Sequence, residues 1–161
     1  MKLEGMGMEI TLPEAWEARI YQLETEEALS GDGADLPVLH AANFALPEER
    51  GDYGSGAVEL MTNDNIFIAL LEFEPALADT ALYAPQGMPR DLDPDEFRTN
   101  GMQRWIPGQA AYQAFFNEDG RAFCLYIVLG SYLRREVLVA QAERLVRSIR
   151  LTASSLPPGI A

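Results

Sequence analysis

The chain has 161 residues, 48% of them hydrophobic, and one cysteine, Cys124. That length suits one domain, read as residues 1–151 with a disordered tail at 152–161, and a lone cysteine excludes an internal disulfide or a multi-cysteine zinc site. Twenty-five acidic residues against twelve basic ones give a net charge of −13, which disfavours nucleic acid and anionic lipid surfaces and suits basic partners.

In chain order, Met8 to Leu12 alternates briefly and stops at Pro13, which predicts an edge strand. Trp16 to Leu23 alternates Trp16, Ala18, Ile20 against Glu17, Arg19, Tyr21, the pattern of a half-buried strand. Glu24 to Leu36 is polar and predicts an exposed loop. Val38 to Leu46 predicts a third strand, and Pro47 to Gly56 a mobile loop. A short strand is expected over Ala57 to Met61. Ile66 to Glu74 is apolar on both faces and therefore predicts a central, covered strand.

Pro75 to Tyr83 predicts a short helix. Asp93-Pro94-Asp95-Glu96 has an N-cap Asp followed by Pro, the start of a second helix running towards Trp105. A strand from Ala111 then leads through a four- or five-residue hairpin loop at Asn117–Gly120. Its partner, Ala122 to Leu129, is again apolar on both faces. Ser131 is the expected cap of a closing helix whose stripe is Leu138, Ala142, Leu145 and Ile149, widened by Leu133, Val137 and Val146. Two double-faced strands need cover above and below, so the expected fold is α+β: a mainly antiparallel sheet sandwiched between helical layers, an α/β/α sandwich.

No catalytic constellation stands out. His40, the single histidine, suits a general base working with acidic residues in a small hydrolase or isomerase, but it lies mid-strand with no partner identifiable along the chain. Cys124 lies in a central strand, where burial makes a thiol inert. Glu72 and Glu74 flank Phe73 on one strand. Asp91, Asp93 and Asp95 resemble the opening of an EF-hand calcium loop, but Glu96 and Met102 stand where that loop needs Gly and Glu. Gly51, Gly54 and Gly56 lack the lysine and spacing of a phosphate loop. Tyr83, Met88, Met102, Trp105 and Tyr112 lie in or beside the irregular 84–108 segment and are read as a groove for an apolar ligand or a protein partner.

The longest apolar run, Ala122 to Gly130, is too short to span a membrane, and no signal peptide is evident at the start. The default location is cytoplasmic, or extracytoplasmic if a leader has been removed. Leu12-Pro13-x-x-Trp16, Gly120-Arg121-x-Phe123 and the closing Ser148-Ile149-Arg150-Leu151 together resemble the Mog1/PsbP-like fold, with its DcrB- and LpqN-type bacterial proteins. That resemblance implies a sheet between helical layers and a binding or assembly role without catalysis. The sequence reading is thus a non-enzymatic module with no cofactor. Its partner is a protein, a second copy of the chain included, or an apolar small ligand.

Overall fold

The computed structural model describes residues 1–23 and 36–152. The loop expected at Glu24–Leu36 and the tail expected beyond Thr152 lie almost wholly outside the described residues. Among the described residues eight strands form two antiparallel sheets. The larger has the order β3 (Glu17–Leu23), β4 (Leu36–Ala42), β5 (Ile66–Phe73), β7 (Arg121–Leu129), β6 (Ala110–Glu118). The smaller joins β1 (Lys2–Gly5), β2 (Met8–Thr11) and β8 (Arg150–Leu151). The one α-helix among the described residues, α1, spans Arg135–Ser148. It is not long and apolar enough to cross a membrane.

The α/β/α sandwich is overturned: among the described residues, helical layers do not flank both sides of the sheet. One face is covered by α1 and β2. Ile68 and Leu70 of β5 and Leu125 and Ile127 of β7 pack there with Leu138, Ala142, Leu145, Met8 and Ile10. The other face carries Phe67, Leu71, Tyr126 and Val128, and irregular chain covers it: Leu46, Ala57 and Val58, with Phe44, Tyr53, Met61, Met102 and Ile106 partly buried.

The helices expected from Pro75 and Asp93 are only 3-10 turns, at Pro75–Asp79, Ala81–Tyr83 and Pro94–Glu96. Asp93 does cap the last of these, accepting from the Asp95 N–H at 2.9 Å. Prolines at 75, 85, 89, 94 and 107 each remove a helical donor and push the preceding residue towards extended backbone. The backbone groups freed in this way pair with the outer edge of β6. Asn117 donates to Pro85 O and Gly87 donates to Asn117 O, both at 2.8 Å, while Arg98 and Ala111 exchange two bonds of 2.9 Å. The strand expected at Ala57–Met61 is likewise a 3-10 turn, Val58–Leu60.

The β6–β7 hairpin is tighter than the four- or five-residue loop expected, and the β1–β2 hairpin has the same kind of turn. Asp119 and Gly120 have φ of 53° and 76°, and Met6 and Gly7 have 52° and 80°, so each loop has two residues in the left-handed region. That geometry matches the twist of the strands and explains Asp-Gly at the first turn. The second loop pairs β2 with β1, a strand the sequence reading does not contain.

Helix α1 begins four residues after Ser131, without a side-chain cap. Leu133 and Val137 do not join its buried stripe; they are 89% and 53% exposed. Arg134 pairs with Asp64 at 2.9 Å, and the Arg135 guanidinium lies 4.3 Å from the Tyr132 ring centre. At the other end Arg90 donates to the carbonyls of Val146 and Ile149, both at 2.6 Å, filling acceptors the helix leaves open. Glu143 accepts from the Leu92 N–H at 2.9 Å and Arg147 pairs with Asp91 at 2.5 Å, so segment 90–92 is laced to the helix.

Arg121 ties the two sheets together. It forks onto Glu72 with bonds of 3.0 and 2.8 Å, and it also donates to Thr152 O at 2.8 Å and Gly7 O at 3.2 Å. A planar bidentate pair of this kind carries both charge and direction. Glu72 is thereby committed to the fold.

Candidate functional site

His40 sits mid-way along β4, opposite Arg19 of β3 and Ala69 of β5. Its ring is fully buried, 4.9 Å from the Phe67 ring and 5.1 Å from that of Tyr21. The segment 47–56, expected to be mobile, folds back over it through bonds such as Gly51 N–H to Ser55 O and Val58 N–H to Gly54 O, both 2.9 Å. Gly54 lets it approach. A Cβ there would meet the Phe67 ring at 2.6 Å, and its φ of 89° lies where side chains are strained.

Both ring nitrogens of His40 are occupied. Arg50 Nε–H donates to Nδ1 at 3.0 Å, so the proton resides on Nε2, which donates to the Asp52 carbonyl at 2.8 Å. The Tyr21 hydroxyl donates to Asp52 Oδ1 at 3.0 Å, and its oxygen is 3.3 Å from His40 Nε2. Burial, opposed by the Asp52 carbonyl and helped by the Arg50 charge, lowers the imidazole pKa to about 4. Burial and the neighbouring Asp52 carboxylate push the Tyr21 hydroxyl up. His40 is therefore neutral near pH 7, with its lone pair taken by Arg50. The acid in this network meets Tyr21 instead of the imidazole. The arrangement holds Arg50 in place and offers no free base.

Beside this network, Arg19, Ile20, Tyr21, Glu48 and Arg50 line an open groove of about 440 Å³. No spacing in the sequence marks it. Its residues come from the middle of β3 and from the loop that returns across β4. Cys124, on β7, is buried, which raises its thiol, and Gln113 donates to its sulfur at 3.4 Å.

The five residues expected to share a groove do not. Met88 and Tyr112 pack on the α1 side, with Tyr112 stacked 5.3 Å from Phe97. Met102 packs on the opposite face. Tyr83 belongs to a third cluster with Ala78, Phe73 and Phe115. Trp105 alone is solvent-facing, at 67% exposure. The aspartates expected to resemble a calcium loop also have separate tasks: Asp91 pairs with Arg147 and Asp93 caps a turn. Among the described residues no three His, Cys, Asp or Glu side chains gather as a metal site would need.

Trp105 has company that the sequence did not reveal. It lies at the end of the sheet where β7 stops, and three turns are bonded together there. Gly130 N–H reaches Asn65 O at 2.8 Å, Tyr132 N–H reaches Gly108 O at 2.7 Å, and Gln109 Nε2 reaches Val58 O at 2.9 Å. The turns expose Leu60 at 60%, Trp105 at 67% and Leu133 at 89%. The neighbouring charges cancel, Glu59 with Arg104 at 2.7 Å and Asp64 with Arg134 at 2.9 Å. A sequence signal did exist for two of these residues: Leu133 and Trp105 are large apolar residues flanked by arginines.

Comparison with models of known protein families, with curated proteins and with solved structures found no match for this chain.

Proposed function

We propose that the chain is a non-enzymatic assembly module that joins a second copy of itself through the end bearing Leu60, Trp105 and Leu133. The observation that carries this reading is the pairing of exposure with charge balance. Three large apolar side chains stand open on turns that are bonded to one another. Arg104 and Arg134 beside them are paired with Glu59 and Asp64, while the molecule as a whole carries −13. Two such molecules repel wherever acidic surface meets acidic surface. At this end they meet without that penalty and remove apolar area from water. Tryptophan is enriched among residues that dominate such contacts.

Sedimentation velocity across a concentration series tests the reading. The wild-type protein is expected to pass from monomer to dimer in the micromolar range. Trp105→Ala raises the dissociation constant by about 30-fold, as loss of a contact worth about 2 kcal/mol requires. Leu133→Glu abolishes the dimer, and both variants keep the wild-type circular dichroism and melting temperature. A wild-type protein that stays monomeric at every concentration overturns the proposal, as does a dimer that both variants leave intact.

A further inference from the structure

Arg50 is half-buried, yet it has no carboxylate within ion-pair distance among the described residues. Its orientation is nonetheless fixed. Nε–H is held by His40 Nδ1, one N–H of the guanidinium meets Pro47 O, and the ring of Tyr21 lies 5.9 Å from the guanidinium carbon. A guanidinium has five N–H donors. Two are used in these bonds, which leaves three on a group that lines the groove. A desolvated, oriented fork with spare donors matches a planar oxyanion.

The other lining residues narrow the choice. Arg19, mostly exposed and loosely paired with Glu17 at 3.3 Å, adds a second positive charge. The Tyr21 ring, on the same face of β3 as Arg19, supplies apolar wall. Glu48 on the rim and the acidic field of the molecule oppose a doubly charged group. At about 440 Å³ the groove is large enough for a small organic ligand. We propose that this groove binds a monocarboxylic acid, its carboxylate forked by Arg50 and steered by Arg19, its body against the Tyr21 ring. His40 is a positioning residue in this site: it holds the guanidinium and does not touch the ligand.

Calorimetric and NMR titrations with hexanoate and benzoate test this, set against hexanamide, benzamide and inorganic phosphate. Both acids are expected to saturate, with shifts confined to β3 and the 47–52 loop, and both amides to give none. Arg50→Gln weakens hexanoate at least tenfold, and Glu48→Gln tightens it severalfold. If Arg50→Gln does not fold, Arg19→Gln and Glu48→Gln carry the test, since both side chains are exposed; the first must weaken binding and the second strengthen it. A short peptide compared with its amidated form shows whether chain ends are accepted as well as free acids. Amides that bind like the acids, phosphate that binds more tightly than hexanoate, or an affinity unmoved by the variants overturns the proposal.

Discussion

His40 takes a proton much less readily in the folded protein than in the unfolded chain, because its ring is buried and Arg50 faces its only lone pair. The linkage follows in sign. Above the unfolded value of 6.5 neither state is protonated. As pH falls from there towards about 4, the unfolded chain gains a proton that the native state refuses, and stability declines. The loss by the lower limit is about 3 kcal/mol, the worth of roughly 2.5 pKa units. Urea midpoints at pH 7, 6, 5 and 4.5 check this: the slope between pH 6.5 and 4.5 should flatten in His40→Gln. An unchanged slope assigns the acid sensitivity to other groups. None of this network could be read along the chain. Tyr21, Arg50 and Asp52 stand 19, 10 and 12 residues from His40; Tyr21 meets it because β3 pairs with β4, and Arg50 and Asp52 because the loop after Pro47 folds inward.

Among the elements, the two central strands and the closing helix were legible because each pattern has one period and one geometry. Ile68 and Leu70 face the helix while Phe67 and Leu71 face away, as alternation requires. The second layer was not legible, because a double-faced strand demands cover without specifying what supplies it. Irregular chain from Phe44 to Met61, with Met102 and Ile106, did so here, while the proline-bearing segment bonded to the open edge of β6 with backbone groups a helix would have used. The same distinction sorts positions along α1. Leu145 is buried against the sheet, so Leu145→Ala should cost about 3 kcal/mol through lost contacts and a residual cavity. Val137, eight residues earlier and assigned to the same stripe by spacing, is exposed, and Val137→Ala should stay within about 0.5 kcal/mol. Chemical denaturation of the two variants separates them. Equal losses would place Val137 in the core after all.

For the whole molecule, the excess of acidic over basic residues sets how copies meet. Screening shortens the reach of that charge to about 8 Å at physiological salt. Self-association through the neutral end should therefore strengthen between low and moderate sodium chloride, a trend sedimentation can follow. Weakening with salt would mean that ion pairs, not apolar turns, make the contact. The arrangement of the core also bears on synthesis. Every strand of the larger sheet precedes α1 in the chain, and β8, which completes the smaller sheet, follows it. While the ribosome still holds residues 135–151, the face bearing Ile68, Leu70, Leu125 and Ile127 lacks its helical roof. The nascent chain thus passes through a stage in which a finished sheet presents a bare oily side, which is the kind of surface that general chaperones shield.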